Sequence, residues 1–185
     1  MPKGTSFRRI VRAIHNDPLG YGKGPSRFSD PRTRLRDDRR YGVVYLGTTL
    51  EVCFLEAFLR DQRDGTSGGF PVSKRKLAEL NHARIIAIAP LRFVDLRGSN
   101  PVAMGVPSDV SGASDQTLAR HWSLFFYQHP DKFDGILYDS RLSGEVNAAV
   151  FDRAVDRLDC ATVSNLMKTP GIGKIMKRFQ IALIP

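Results

Sequence analysis

Cysteine, tryptophan and long apolar runs are scarce in this 185-residue chain. The two cysteines, Cys53 and Cys160, form no CxxC pair. Cys53 falls on the apolar face of a predicted helix, so we expect a buried free thiol, which suits a reducing compartment. No apolar run approaches the length that spans a bilayer, and no signal core follows Met1. We therefore expect a cytoplasmic protein that does not enter the membrane.

Several common catalytic signatures are also missing. The four histidines lack the spacing of metal ligands, both with one another and with the cysteines, so we expect no metal site. The nucleophile elbow GxSxG of serine hydrolases does not occur. The GxGxG at Gly20 to Gly24 neither follows a strand nor opens a helix, and Gly173-Lys174 lacks the other residues of a phosphate loop. The motifs of the chain therefore indicate neither a metal site, a nucleophile elbow, a dinucleotide-binding fingerprint nor a phosphate loop.

Positive charge is concentrated at the start of the chain. Residues 1–40 hold eleven of the 28 Lys and Arg residues and four of the 19 acidic residues, which gives them +7 of the net charge of +9. Such a segment suits an anionic partner, which can be a nucleic acid, a phosphorylated ligand or an acidic protein. A solvated basic face without a specific partner explains the same charge equally well.

Length and periodicity predict one domain over residues 1–185 with mixed helices and strands, the α+β class. Strands are predicted at residues 7–14, 41–46, 85–88, 93–96, 133–138, 148–151 and 181–184. Helices are predicted at 73–80, from Ser114 or Asp115 to Gln128, and after Thr48, whose N-cap role is indicated by Glu51 three residues later. Residues 98–114 form an unusually long loop, which indicates a lid or a binding loop.

The stretch from Gly24 to Leu59 brings three chemical groups into one loop–strand–helix unit. Arg27 lies in the basic loop, Tyr45 in the short apolar strand and Glu56 in the helix that follows. The helix has one apolar stripe, and Glu56 lies at the border of that stripe, where a carboxylate can point into a cleft. Considered alone, such a glutamate is more often solvated. The stripe consists of Leu50, Cys53, Phe54, Ala57 and Phe58.

These residues resemble the RES domain, the toxin half of bacterial RES–Xre toxin–antitoxin pairs. The matching segments are GPSRFSDP around Arg27, VVYLGTTLEVCFLEAFL with Tyr45 and Glu56, FDGILYDSR with Ser140, and NAAVF. Their order and the eleven-residue step from Tyr45 to Glu56 carry the resemblance, which extends from about Phe7 to the final strand. The usual Gly-Gly-Arg-Trp is Pro-Ser-Arg-Phe in this chain, and Arg27 and Arg32 are both candidates for the arginine of the family.

The resemblance implies an ADP-ribosyltransferase-like fold with a split β-sheet core and NAD as the substrate. Glu56 would stabilise the positive charge that develops on the ribose when the nicotinamide–ribose bond breaks. Tyr45 would offer an aromatic face to nicotinamide, and Arg27 or Arg32 would bind the pyrophosphate. Ser140 would bond a phosphate or the amide. ADP-ribose would pass to a protein, water or phosphate.

The resemblance also implies a partner, an Xre-type antitoxin that covers the active site, with nucleic acid contacted only through that antitoxin. Two other readings of the residues stay open. The basic segment fits a nucleic-acid-binding protein or a ribonuclease toxin, although few aromatic residues are interleaved with its charges for base stacking. A non-catalytic module that uses the basic face for docking is the third reading.

Overall fold

A computed structural model describes residues 1–60 and 68–185. Within them, the chain forms nine strands and six α-helices. The strands are β1 Ser6–Arg12, β2 Val43–Gly47, β3 Phe70–Ser73, β4 Leu80–Ala87, β5 Phe93–Asp95, β6 Gly135–Asp139, β7 Val146–Phe151, β8 Leu158–Asn165 and β9 Ile181–Ile184. The helices are α1 Leu50–Phe54, α2 Lys74–Ala78, α3 Asn100–Ala103, α4 Asp109–Gly112, α5 Thr117–Gln128 and α6 Ile172–Arg178.

Seven of the strands form one mixed sheet in the order β5-β6-β7-β2-β1-β4-β8. Strands β5 and β6 are parallel, and the other neighbours are antiparallel. Strands β3 and β9 form a separate parallel pair. The α+β class predicted from the sequence is therefore confirmed.

The main sheet is divided between its two central strands. Strand β1 is in register with β4 over its whole length, Ser6–Arg12, and β2 is in register with β7 over Val43–Gly47. Strands β1 and β2, by contrast, share one registered pair, Arg8 with Gly47. The sheet thus opens into two halves that diverge from this pair, in agreement with the split sheet that the resemblance implied. A cleft forms where the halves separate.

Alternation along β2 assigns its side chains to two different cores, because successive residues of a strand face opposite sides of the sheet. Val43 belongs to a core beneath α5, and Tyr45 packs against the same core. Val44 and Leu46 belong to a second core on the other face, shared with Phe7. Tyr45 is therefore directed to the α5 side of the sheet at the point where β1 departs.

The helix after β2 follows its predicted apolar stripe only in part, because Ala57 of the stripe is exposed while Leu55 and Leu59, outside the stripe, are buried. Phe54, Leu55, Phe58 and Leu59 are buried in a third core with α2 and α6. Cys53 is a free, buried thiol, as expected. Its Sγ donates to the carbonyl oxygen of Arg8 at 3.1 Å, and burial raises its pKa to about 12.

Several parts of the chain differ from the sequence-based prediction, and strand β3 is one of them, since no strand was predicted at Phe70–Ser73. Strand β8 was not predicted, because most of its residues are exposed and the strand presents no buried apolar run. Helix α6 has only seven residues, too few for a clear helical period. The segment 98–114 contains α3 and α4, so it is not a plain loop. Within the described residues, no helix has both the length and the apolar character to cross a bilayer.

Gly47 allows the helix to lie directly on the end of β2. A Cβ atom at this position would stand 2.5 Å from Val52 Cγ1 and 2.7 Å from Cys53 Sγ, so Gly47→Ala forces α1 away from the strand. We expect a loss of about 1–3 kcal/mol in the free energy of unfolding, measured by denaturant titration.

Gly173→Ala is the matched control for this substitution. Gly173 lies inside α6, and a Cβ there meets nothing within 4 Å. This variant should be as stable as the original chain or gain up to about 1 kcal/mol from helix propensity. Equal stabilities for the two variants would contradict the close packing at Gly47.

Candidate active site

The helix that carries Glu56 begins with a capped turn. Thr49 is the N-cap, one residue later than predicted, and its Oγ1 accepts from the backbone N–H of Val52 at 3.1 Å. The same hydroxyl donates to Glu145 Oε2 at 2.9 Å. This pair of bonds ties the start of α1 to the loop between β6 and β7, so the helix is fixed to the strands that form the rest of the site.

The helix changes from α to π at Leu55, one residue before Glu56. Residues Leu55–Leu59 form a π-helix, which closes with a bond of 2.9 Å from the backbone N–H of Arg60 to the carbonyl oxygen of Leu55. A π-turn inserts one residue and rotates the side chains that follow it, and such turns are common at functional sites. Here Leu55, Phe58 and Leu59 stay buried, while Glu56 lies at the cleft with its side chain 26% exposed.

Two neighbouring strands hold the Glu56 carboxylate. Ser140, directly after β6, donates its hydroxyl proton to Glu56 Oε1 at 2.7 Å. Asn147 of β7 donates from Nδ2 to the same oxygen at 3.3 Å. Both side chains belong to residues that are only 4% exposed. On the other side, Arg60 Nη1 lies 3.7 Å from Glu56 Oε2. The carboxylate is thus fixed in orientation.

A cavity of about 250 Å³ lies beside this carboxylate, at the divergence of β1 and β2. It is lined by aromatic, basic and polar side chains from strands β1, β2, β6 and β7 and from the helix that carries Glu56. Tyr45 and Tyr138 supply two aromatic rings, and burial raises the pKa of each phenol, so both are neutral. The other polar lining residues are Arg9, Cys53, Arg60 and Asn147.

Arginines also converge at Glu56 in a second part of the cleft. Arg27, Arg60 and Arg141 line a narrow extension of the cleft together with Glu56 and Asp139. Arg27 is only 5% exposed, and its Nη1 donates to the carbonyl oxygen of Ala113 at 2.9 Å. Burial lowers the pKa of Arg27, and the positive charges of Arg141 and Arg60 lower it further. Such convergence of like charges is favourable for binding an anion.

Arg32 has a different environment. Its guanidinium forms a two-point pair with Asp30, with distances of 2.9 Å to Oδ1 and 2.6 Å to Oδ2. Asp30 is buried and also accepts the backbone N–H of Tyr41 at 3.1 Å. Arg32 is not among the residues that line the two cavities at Glu56. Of the five predicted site residues, the structure therefore brings together Glu56, Tyr45, Arg27 and Ser140, and leaves Arg32 outside.

Sequence reasoning did not single out Arg60, Tyr138, Arg141 or Asn147, all of which line the cleft. For two of these residues, the sequence contained a pattern that could have indicated a place in the cleft. Arg60 is four residues after Glu56, a spacing that pairs side chains on a helix. Asn147 opens the motif NAAVF and stands opposite both Gly47 and Tyr138 in the sheet. Within residues 1–60 and 68–185, no group of three or more His, Cys, Asp or Glu side chains could hold a metal ion.

A family model described as the RES domain matches residues 6–167. This chain belongs to the RES domain family. The resemblance read from the motifs is thereby confirmed, and the match spans every element that contributes to the cleft.

Two known proteins extend this comparison. A protein from Sinorhizobium fredii named "Probable toxin y4kH" is 33% identical over 127 residues, which cover 68% of this chain and all of that protein. A chain of the crystal structure of the M. tuberculosis MbcT–MbcA toxin–antitoxin complex is similar in fold, with a TM-score of 0.63 and 19% identity. That likeness covers 97% of this chain and 91% of the other. The RES domain of this chain therefore has the fold of a chain in a toxin–antitoxin complex.

The separate environment of Arg32 leads to a prediction about stability. Burial alone raises the pKa of Asp30, but hydrogen bonds from Arg32 and Tyr41 lower it below the ordinary value of 3.8. Because the pKa of this carboxyl is lower in the folded protein than in the unfolded chain, its ionised form stabilises the fold at pH values above the ordinary pKa. This stabilisation is lost as the pH falls through the lowered pKa. We expect Arg32→Ala to cost about 1–3 kcal/mol near pH 7, and less as the pH falls below about 4.

Thermal melts of both proteins between neutral and acidic pH measure this difference. Arg36→Ala is the matched control, because Arg36 pairs with Asp38 at 3.4 Å where both side chains are largely exposed. It should change stability by less than about 1 kcal/mol. An Arg32→Ala variant with the stability of the control would contradict the pairing described above.

Proposed function

We propose that this protein is the toxin of a toxin–antitoxin pair and that it cleaves the nicotinamide–ribose bond of NAD. The observation that carries the proposal is the arrangement around Glu56. A carboxylate fixed by Ser140 and Asn147 lines a cavity that also holds the rings of Tyr45 and Tyr138. The guanidinium groups of Arg27, Arg60 and Arg141 line the extension of the same cleft at Glu56. Membership of the RES family and the likeness to a probable toxin support the same role.

The proposed chemistry assigns the central role to Glu56. When the bond between nicotinamide and C1′ of the ribose breaks, the electron pair leaves with nicotinamide and positive charge develops on the sugar. A carboxylate held beside the ribose ring stabilises that charge and can accept a hydrogen bond from a ribose hydroxyl. Because Ser140 and Asn147 already orient Glu56, little reorganisation is needed in the transition state. The acceptor then bonds to C1′ and releases a proton.

The remaining residues are proposed to bind the dinucleotide. Arg27, with Arg60 and Arg141 beside it, suits the pyrophosphate, because guanidinium groups pair with phosphate oxygens in a planar fork. Tyr45 suits the nicotinamide ring, since its ring lines the same cavity as Glu56. Arg32 is committed to Asp30, so we assign the arginine role of the family to Arg27.

The acceptor of ADP-ribose is proposed to be water, phosphate or a protein group. If it is a protein group, we expect a residue other than arginine. Transferases that modify arginine carry a second glutamate two residues before the catalytic one. In this chain that position is Phe54, which is completely buried and stacks on Phe58 with ring centroids 5.0 Å apart. No second carboxylate is available there to activate an arginine acceptor.

The basic segment supports this proposal better than a nucleic-acid-binding role. Several arginines of residues 1–40 bond within the protein. Arg9 donates to Gly20 O at 2.8 Å, and Arg40 donates to Lys23 O at 2.6 Å. Arg27 and Arg32 are engaged with Ala113 and Asp30. These four arginines are therefore occupied by bonds within the protein, and Arg32 and Arg40 lie in the same loop as Arg27.

A cognate antitoxin of the Xre type is proposed to cover the cleft. A protein that consumes NAD must be held inactive in its own cell, and the similar fold comes from a toxin–antitoxin complex. The convergence of Arg27, Arg60 and Arg141 offers a target for an acidic segment of such a partner. Nucleic acid would then be contacted only through the antitoxin.

The Glu56→Gln variant tests the proposed chemistry. The exchange keeps the shape and hydrogen-bonding reach of the side chain and removes its negative charge. We expect the original protein, free of antitoxin, to release nicotinamide from NAD in the presence of a chelator. Glu56→Gln should still bind NAD and should release nicotinamide at least about a hundredfold more slowly. Toxicity on expression should fall with it.

Glu51→Gln is the control on the same helix. Glu51 pairs with Arg178 at 2.6 Å, away from the cleft, so its exchange should leave nicotinamide release unchanged. Melting temperatures confirm that both variants fold. No nicotinamide release by the original protein with water, phosphate or cell extract as acceptor source, or normal release by folded Glu56→Gln, would contradict the proposal.

Occlusion by the antitoxin has its own test. The complex with a co-expressed Xre-type antitoxin should bind NAD at least about tenfold more weakly than the free protein, measured by calorimetry. Charge reversal at Arg141, a residue of the cleft, should weaken the antitoxin complex. Equal NAD affinity of the complex and the free protein would show that inhibition does not act by covering the site.

A further inference from the structure

The hydroxyl of Tyr45 bonds to both neighbours of Arg27. It accepts from the backbone N–H of Phe28 at 2.8 Å, and it lies 2.9 Å from the Oγ of Ser26. Both distances are typical of well-formed hydrogen bonds. The Tyr45 side chain therefore forms hydrogen bonds to the basic loop on each side of Arg27, the arginine that is proposed to bind the pyrophosphate.

The turn that contains Arg27 is otherwise closed on itself and anchored at Phe28. Ser29 Oγ accepts the backbone N–H of Ser26 at 2.9 Å and donates to the Ser26 carbonyl oxygen at 3.0 Å. Phe28 is completely buried, and its carbonyl oxygen accepts the hydroxyl of Ser123 at 2.7 Å. These contacts fix the end of the turn, but the bonds from Tyr45 connect the turn to strand β2 and hence to the cleft.

We propose that Tyr45 is a positioning residue for Arg27, and that its hydroxyl acts on pyrophosphate binding by holding residues 26–28 against β2. This inference rests on the proposed function for the identity of the ligand. It adds a second role to Tyr45, whose ring was assigned to nicotinamide. It also names Ser26 as a contributor to the site, although Ser26 is not among the residues that line the cleft.

The chemistry of the hydroxyl fits this role. Burial raises the pKa of Tyr45, so the phenol keeps its proton. A protonated hydroxyl can donate to Ser26 Oγ and accept from Phe28 N–H at the same time. The Tyr45→Phe substitution removes both bonds and keeps the aromatic ring. It separates the positioning role from the stacking role.

Two fragments of NAD provide the first measurement. ADP-ribose contains the pyrophosphate, and nicotinamide contains only the ring. We expect Tyr45→Phe to weaken ADP-ribose binding by about 3- to 10-fold, as for loss of ordinary hydrogen bonds, and to change nicotinamide binding by less than about twofold. Ser26→Ala should have a smaller effect of the same kind. Unchanged ADP-ribose binding by Tyr45→Phe would overturn the proposal.

A double-mutant cycle of Tyr45 and Arg27 tests whether the Tyr45 hydroxyl affects ADP-ribose binding through Arg27. Arg27→Ala alone should weaken ADP-ribose binding by about 10- to 100-fold, since a charge-assisted bond is lost. If Tyr45 acts through Arg27, adding Tyr45→Phe to Arg27→Ala should weaken binding by less than about a further twofold. Full additivity of the two effects would show that the hydroxyl acts independently, and would overturn the positioning role.

Amide exchange measures the ordering of the turn without any ligand. In Tyr45→Phe the N–H of Phe28 should exchange with solvent at least about tenfold faster by NMR, because it loses its acceptor. Tyr21→Phe is the control, because Tyr21 is 41% exposed and lies outside the cleft. Unchanged Phe28 exchange in Tyr45→Phe would overturn the proposal. Faster exchange in a protein that neither binds ADP-ribose nor cleaves NAD would instead refute the proposed function and leave the ordering of the turn established.

Discussion

The close contact between Gly47 and helix α1 is the constraint on which the rest of the site depends. The absence of a side chain at Gly47 lets Val52 and Cys53 rest on the strand. The helix therefore starts at the sheet and runs alongside the gap between β1 and β2. The same glycine is the one residue of β2 in register with β1, through Arg8. Gly47 thus forms both the pairing of β2 with β1 and the contact of β2 with α1, and it also lines the cleft.

The fold class and part of the candidate site were predictable because they depend on local patterns and motif order. The apolar stripe of the helix indicated the burial of Cys53, Phe54 and Phe58 and left Glu56 at its border, but it wrongly included the exposed Ala57. The π-turn that brings Glu56 to the cleft was not predictable, since the same apolar spacing fits an α-helix or a π-helix. Strand β8 escaped prediction because its exposed residues carry no alternation.

The choice between Arg27 and Arg32 shows a different limit. Both arginines lie in one basic loop, and the sequence assigns them equal charge. What distinguishes them is the partner of each guanidinium, which is close in sequence for Arg32 and distant in sequence for Arg27. Asp30 neutralises Arg32 with a carboxylate, whereas Arg27 bonds to a neutral carbonyl 86 residues away. Likewise, the contact of Ser140 with Glu56 spans 84 residues. Contacts of this range follow from the sheet order, which no local pattern specifies.

The bond from Arg27 to the carbonyl of Ala113 has a thermodynamic consequence. A carbonyl dipole offsets a guanidinium charge only in part, and Arg60 and Arg141 add like charge nearby. The like charges in the cleft therefore repel one another, and the carboxylate of Glu56 offsets this repulsion only in part. Any anion that occupies the cleft relieves this repulsion and raises the melting temperature together with its own affinity. Occupancy of the cleft and the lifetime of the folded protein would then be coupled.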